Sequence, residues 1–141
     1  MRVLLDANLF SSFLLKPKAD TASTHLVRAA IRGEFRLLLP QHLLDEFVSR
    51  ASGKPYLASR IRREDLRELV QILEQVGEPI SRITQPIPAL TRDAKDDYLI
   101  AYALVGRADC LVTGDADLLD LGQIDRLKIS TAKDFLAVLA P

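Results

Sequence analysis

Cysteine is nearly absent from this sequence, since Cys110 is the only one among 141 residues. A single cysteine excludes an intramolecular disulfide framework and a zinc site built from several cysteines. Cys110 lies within the apolar run ADCLVT, where a buried thiol is the simplest interpretation. We therefore expect the protein to be cytoplasmic, in a reducing environment.

Long apolar runs and a net charge are also missing. No stretch approaches the roughly 18 to 20 apolar residues that a membrane span requires. The amino-terminal segment MRVLLDANLF reaches an aspartate after three apolar residues, unlike a signal peptide. We therefore expect a protein that is neither secreted nor membrane-bound. Nineteen Lys and Arg residues balance nineteen Asp and Glu residues, so nucleic-acid binding would require a local basic patch.

The composition that remains is ordinary for a folded domain. Hydrophobic residues make up 48% of the chain and charged residues 27%, close to the average for soluble globular proteins. A chain of 141 residues can form one domain with a full core and has no room for a second. We therefore expect residues 1–141 to form a single domain.

Three short apolar runs are typical of buried parallel strands, because they lack the alternation of a half-exposed sheet. These runs are residues 3–5, 37–39 and 110–112, with weaker candidates near residues 80–83 and 127–129. Between them lie segments with helical spacing that end at a glycine. These segments are residues 26–31, 66–76 and 98–105, followed by Gly33, Gly77 and Gly106. Thr131, three residues before Asp134, indicates an N-capped final helix.

This alternation of strands and helices predicts an α/β fold. The expected architecture is a three-layer α/β/α sandwich with a central parallel sheet of four to five strands. Ligands bind such sheets at the carboxyl ends of the strands, so the residues that follow each apolar run are candidates for a site. Those residues are mostly acidic.

Two acidic segments follow predicted strands. Asp6 comes directly after the first strand, with Asn8 nearby, although Asp6 could instead only cap the next helix. After the third strand, Thr113 precedes a turn that presents Asp115, and Asp117 follows two residues later. Aspartates are also common in turns for conformational reasons, so neither segment alone establishes a site.

The segment DAKDDYLIAYALVG contributes a third candidate, Asp97. Its helical spacing places Asp97 on one face with four apolar residues: Ile100, Ala101, Leu104 and Val105. An inward carboxylate needs a partner, and a divalent cation is a natural one. For Asp93 and Asp96 we expect solvent exposure or helix capping instead, although the sequence leaves open whether Asp96 or Asp117 joins the site.

The helix after the second strand adds Asp45 or Glu46, which lie at the two edges of an apolar face, so that spacing does not choose between them. Carboxylates gathered at one sheet edge favour Mg²⁺ or Mn²⁺ over structural zinc. A cation with few protein ligands can bind phosphate oxygens, which indicates phosphodiester chemistry. For His25 and His42 we expect packing or capping roles.

In this order, the segments VLLDANLFSS, LLDEF, DAKDDYLIAYAL and LVTGDADLL resemble the acidic motifs of PIN domains. The similarity is closest to the toxins of bacterial toxin–antitoxin modules and extends from residue 2 to about residue 139. It implies that the catalytic acids are Asp6, Glu46, Asp97 and Asp115. It also implies that the metal ligands are Asp6, Asp97, Asp115 and Asp117, supported by Asn8 and Thr113.

The same resemblance implies an activity and partners. Such proteins are ribonucleases, in which metal-activated water attacks an RNA phosphodiester and leaves a 5′-phosphate and a 3′-hydroxyl. The resemblance further implies a homodimer and a small antitoxin protein as partner. A PIN fold that has lost catalysis and only binds RNA or protein is an alternative.

A basic segment could supply RNA contacts. Residues 50–67 contain six basic side chains against two acidic ones, and we expect RNA phosphates to bind there. The candidate residues are Arg50, Lys54, Arg62 and Arg63. A solvated helix face with internal Arg and Glu pairs would give the same pattern.

Two other protein classes share a strand that ends in aspartate. A phosphatase of the haloacid dehalogenase type needs a second aspartate two residues later, where this chain has Asn8. A receiver-type phosphoacceptor domain needs paired early acids and a lysine after a late strand, and the early lysines Lys16 and Lys18 do not fit that position.

Overall fold

Six strands and eight helices alternate along residues 1–140, the part of the chain described by the structure, which is a computed structural model. The strands are β1 (Arg2–Leu5), β2 (Arg36–Pro40), β3 (Glu78–Ile80), β4 (Cys110–Val112), β5 (Gln123–Ile124) and β6 (Leu127–Ser130). The helices are α1 (Ala7–Leu15), α2 (Ala22–Ile31), α3 (Gln41–Gly53), α4 (Pro55–Ala58), α5 (Arg63–Val76), α6 (Ala94–Val105), α7 (Ala116–Leu121) and α8 (Ala132–Leu139).

The strands form one sheet in the order β3-β2-β1-β4-β6-β5. All neighbouring pairs are parallel except β5 with β6. Consecutive strand residues point to opposite faces, and Val3, Leu4 and Leu5 are all fully buried, so helices cover both faces of the centre. The predicted α/β sandwich with a mostly parallel sheet is confirmed.

The strand count and one strand position differ from the expectation of four to five strands. β5 has only two residues and pairs antiparallel with β6 through a turn in which Asp125 adopts a φ of 53°. So short an edge strand has no apolar run that could reveal it. β3 spans Glu78–Ile80 instead of the expected residues 80–83, and residues 81–83 lie outside the sheet.

The glycine and threonine positions that end or begin helices are confirmed. Gly77 and Gly106 are the C-caps of α5 and α6, and Gly33 follows α2 with a φ of 73°. Thr131 caps α8, since its hydroxyl oxygen accepts a hydrogen bond from the Asp134 N–H at 3.1 Å. These caps fix where each helix meets the sheet.

Arg2 ties β1 to β3 and to the end of α6. Its Nη1 donates to Glu78 Oε1 at 3.0 Å, while Nε and Nη2 donate to the Gly106 carbonyl oxygen at 3.0 and 2.8 Å. The hydrogen bond from Arg2 lowers the pKa of the Glu78 carboxyl. This anchor fixes the position of α6, which carries part of the candidate site, relative to the sheet.

We expect Gly77→Ala to destabilise the fold by about 1 to 3 kcal/mol, the usual cost of overpacking a core. A Cβ at Gly77 would lie 2.8 Å from the Leu73 carbonyl oxygen and 2.9 Å from the Leu39 Cβ. Gly53→Ala is the matched control, because nothing lies within 4 Å of its added Cβ. Urea unfolding should show a loss only for Gly77→Ala, and equal stability of the two variants would contradict this packing.

Candidate metal centre

Three acidic side chains meet where β1 and β4 end. These strands are parallel neighbours in which Leu5 pairs with Val112, so their carboxyl ends lie side by side. Asp6 directly follows β1, and Asp115 lies just beyond β4 at the start of α7. Asp96, in the first turn of α6, joins them.

Thr113 links the two strand ends through its side chain. Its buried hydroxyl donates to Asp6 Oδ2 at 2.8 Å and accepts from the Asp115 N–H at 3.0 Å. The other oxygen of Asp6 accepts from the Asn8 N–H at 3.2 Å and caps α1. Asp6 therefore caps a helix and also lies among the other acids, so the two interpretations of its position are compatible.

The carboxylates of Asp96, Asp115 and Asp117 each offer an oxygen, and these oxygens lie within 4.8 Å of one another. Asp115 Oδ1 accepts from the Asp117 N–H at 2.9 Å, which caps α7 and brings Asp117 into the group. The burial of Asp96, followed by the charges of Asp115 and Asp93, raises the pKa of the Asp96 carboxyl from 3.8 to about 6. At neutral pH the three carboxylates of Asp96, Asp115 and Asp117 concentrate negative charge, which a bound cation would offset.

A cavity of about 230 Å³ opens beside these acids. Its acidic lining residues are Asp6, Glu46, Asp93, Asp96 and Asp115. Asp93 caps α6 by accepting from the Lys95 N–H at 2.9 Å, as the sequence indicated. The site therefore combines acids from both ends of the chain with Glu46 from α3.

The structure distinguishes Glu46 from Asp45, which spacing alone did not. Glu46 Oε1 lies 3.0 Å from Arg50 Nη2, and Arg50 Nη1 donates to Asn8 Oδ1 at 3.2 Å. Asp45 lies outside this lining and forms an ion pair with Arg82 at 2.5 Å. Arg50 thus connects Glu46 to the segment that carries Asp6.

Asp97 has a different location from the one expected for a metal ligand. Its carboxylate is buried, as predicted, but Oδ1 accepts from the Leu90 N–H, the Thr91 N–H and the Thr91 hydroxyl at 2.9, 2.8 and 2.9 Å. Asp97 does not line the acidic cavity in the described chain, residues 1–140. It fastens the loop that leads into α6.

The expectation that Asp96 faces solvent is wrong, since only 4% of it is exposed. The predicted inward face of the helix included Leu104 and Val105, but these residues are 39% and 60% exposed. The buried face of α6 instead carries Asp96, Ile100 and Ala103, at spacings of four and seven residues. That spacing is the signal that could have identified Asp96.

The remaining candidate residues divide between the cavity and the surface. Arg50 lines the cavity, whereas Lys54, Arg62 and Arg63 are exposed outside its lining. Arg62 forms an ion pair with Glu64. His42, for which we expected only packing or capping, packs against Tyr98 and also lines the cavity.

A family model described as PIN domain matches residues 2–117. The chain is a PIN-domain protein. The match extends from β1 to the start of α7 and includes every acid of the candidate site, which confirms the resemblance to PIN domains. No curated protein matches the chain.

PIN domains are generally metal-dependent nucleases, and the oxygen-rich cluster of this PIN domain fits a divalent cation. The cluster contains neither sulfur nor nitrogen ligands, which disfavours soft metals. The phosphatase and receiver alternatives have no support from this family match.

No helix within residues 1–140 has the length and apolar character needed to cross a membrane.

We expect Asp96→Asn to stabilise the metal-free PIN domain increasingly as pH rises from about 4 to about 6. The folded pKa of Asp96 is raised to about 6 from 3.8, so the unfolded chain releases this proton first and wild-type stability falls through that window. At about 1.36 kcal/mol per pKa unit, the difference reaches about 3 kcal/mol above pH 6. Urea unfolding in EDTA at several pH values measures it, and a difference independent of pH would contradict the prediction.

We expect Thr113→Val to destabilise the domain by about 1 to 3 kcal/mol, because the Asp6 carboxylate and the Asp115 N–H lose a buried partner. Thr113→Ser retains the hydroxyl and is the matched control. The Val variant should also bind Mn²⁺ more weakly, measured by calorimetry. Equal Mn²⁺ affinity in the two variants would show that Thr113 does not position the acids.

Proposed function

We propose that this PIN domain is a Mg²⁺- or Mn²⁺-dependent endoribonuclease that hydrolyses RNA phosphodiester bonds. The observation that supports this proposal best is the convergence of Asp96, Asp115 and Asp117 within 4.8 Å, beside Asp6 and an open cavity. A site made only of carboxylate oxygens suits a hard cation that also binds phosphate oxygens.

The ligands we propose are Asp6, Asp96, Asp115 and Asp117. Asp96 takes the place that the sequence assigned to Asp97, because one oxygen of Asp97 already accepts three hydrogen bonds from the preceding loop. When bound, the cation supplies Lewis acidity, which offsets charge on the phosphate and lowers the pKa of water.

Glu46 is the proposed proton acceptor for the attacking water. It lines the same cavity from α3, and only about a third of its side chain is exposed. Arg50 fixes Oε1 at 3.0 Å, while Oε2 lies 4.0 Å from the nearest His42 nitrogen and is the more available oxygen. Arg50 and Asn8 therefore act as positioning residues for Glu46.

RNA phosphates are proposed to bind along the basic segment that begins at Arg50. Lys54 follows the end of α3, and Arg62 and Arg63 lie at the start of α5. All three are exposed, and Lys54 and Arg63 form no ion pair within residues 1–140, whereas Arg62 pairs with Glu64. The cavity end of this path is Arg50, beside the proposed catalytic Glu46.

The toxin role, the homodimer, the antitoxin partner and the cytoplasmic location are proposed from the resemblance of the acidic motifs to bacterial toxins. A surface groove between α3 and α5, lined by Val48, Leu66 and Val70 among charged residues, offers a docking site for a small protein. Induced expression of the wild type should arrest bacterial growth, whereas Asp96→Asn should not. Light scattering would report the oligomeric state.

The activity is tested with labelled RNA, Mg²⁺ or Mn²⁺, and an EDTA control. We expect Asp96→Asn to lower kcat by about 100-fold or more, because loss of even an outer partner of a metal ligand typically costs about 10- to 100-fold and Asp96 is proposed as a direct ligand. Asp97→Asn is the matched control, since its amide oxygen can still accept hydrogen bonds from Leu90 and Thr91. Its cleavage should stay within a few-fold of wild type, with a stability loss of about 1 to 2 kcal/mol.

The outcomes separate the alternatives. Equal loss of cleavage in the two variants would contradict the choice of Asp96 over Asp97. A wild-type protein that binds Mn²⁺ and RNA but cleaves no RNA would indicate a PIN domain that has lost catalysis. Cleavage that persists in EDTA would contradict the metal-dependent mechanism.

A further inference from the structure

An exposed aromatic ring borders the acidic cavity. Tyr98, on α6, is 38% exposed and lines both that cavity and a neighbouring one of about 380 Å³. We propose that Tyr98 is a stacking platform for a nucleobase adjacent to the cleaved phosphate, and that the neighbouring cavity is a nucleotide subsite. This inference rests on the proposed ribonuclease function and identifies a specificity-determining residue for it.

The Tyr98 ring already packs against a neighbouring aromatic ring. The His42 ring packs against Tyr98 with a centroid distance of 4.6 Å and an interplanar angle of 37°. His42 Nδ1 lies 3.4 Å from Arg82 Nη1, and Tyr102 packs 5.6 Å from the same imidazole. Because Tyr98 already has a fixed neighbour, stacking a base on its accessible surface would cost little side-chain entropy.

The layer behind the platform is also fixed. Tyr102 is buried one turn after Tyr98, and its hydroxyl accepts from the Ile83 N–H at 3.0 Å. This bond fastens the segment after β3 against α6, and Arg82 of that segment forms an ion pair with Asp45 on α3. The platform therefore consists of residues from α3, α6 and the segment that follows β3.

The charges around the platform suit a nucleotide. Lys95 lines both cavities, and its ammonium group forms no ion pair within residues 1–140. Arg82 also lines the neighbouring cavity, where it forms an ion pair with Asp45, and Glu46 is the second acid of that lining. An aromatic ring with cations beside it matches how proteins bind single-stranded nucleic acid, through base stacking and phosphate contacts. The acids and the platform thus border one continuous site.

Tyr98 is partly exposed beside the cavity, and its hydroxyl makes no hydrogen bond in the described chain. The proposal therefore depends on the ring and not on the hydroxyl. Every base can stack on an aromatic ring, but a nucleotide without a base cannot. A substrate that lacks the base next to the cleaved bond should be insensitive to a change at Tyr98.

The first test compares Tyr98→Ala with Tyr98→Phe on a short RNA and on the same RNA with an abasic nucleotide beside the cleaved bond. Loss of stacking should lower kcat/KM of the Ala variant by about 5- to 100-fold on intact RNA. The Phe variant should match wild type, and the abasic RNA should be cleaved equally by all three proteins. Mn²⁺ affinity should be unchanged.

Three results would overturn the proposal. These are full activity of Tyr98→Ala, equal losses in the Ala and Phe variants, and a loss that persists on abasic RNA. A change of oligomeric state in Tyr98→Ala, seen by light scattering, would likewise show that the ring belongs to a protein interface instead.

A second test does not require cleavage. The chain has no tryptophan, so Tyr98→Trp introduces a single indole fluorophore. Its emission should be quenched by intact RNA in EDTA and much less by the abasic RNA. Quenching without any wild-type cleavage would support the subsite and reject the nuclease, whereas metal-dependent cleavage without quenching would reject the subsite alone.

Discussion

Repulsion among carboxylates at one sheet edge is the constraint on which this site depends. The parallel pairing of β1 and β4 places their carboxyl ends side by side, and each strand is followed by an aspartate. The Asp6 carboxylate accepts hydrogen bonds from the Asn8 N–H and the Thr113 hydroxyl, and the Asp115 carboxylate accepts one from the Asp117 N–H. Asp96 is buried beside these charges, and this burial, followed by the charges of Asp115 and Asp93, raises the pKa of its carboxyl.

Within residues 1–140, the ion pairs around the site include Glu46 but none of the three clustered aspartates, Asp96, Asp115 and Asp117. Arg50, the cation that forms an ion pair with Glu46, lies on α3 and also contacts Asn8. The other positive charges near the cavity, on Lys95 and Arg82, lie on its aromatic side. Glu46, Lys95 and Tyr98 line both cavities, so a metal ion held by the acids and a nucleotide beside Tyr98 would be close neighbours.

Much of the fold could be predicted from the sequence, because buried strands and glycine-ended helices have local signals. The apolar runs identified β1, β2 and β4, and Gly77 and Gly106 marked helix ends correctly. The choice between Asp96 and Asp97 could not be made reliably, since neighbouring residues on a helix differ by only about 100° in direction. Whether Glu46 or Asp45 reaches the cavity likewise depended on partners distant in sequence, Asn8 and Arg82.

The strand order makes β6 necessary for the metal site, although no residue of β6 lines the acidic cavity. β4, which leads to Asp115, has β1 on one side and β6 on the other, although the family match ends at Asp117. Without residues 127–130, the outer N–H and C=O groups of β4 would form an unprotected sheet edge. A fragment trimmed to the matched region would therefore tend to aggregate through that edge, so the boundaries of the homologous segment are not the boundaries of the folding unit.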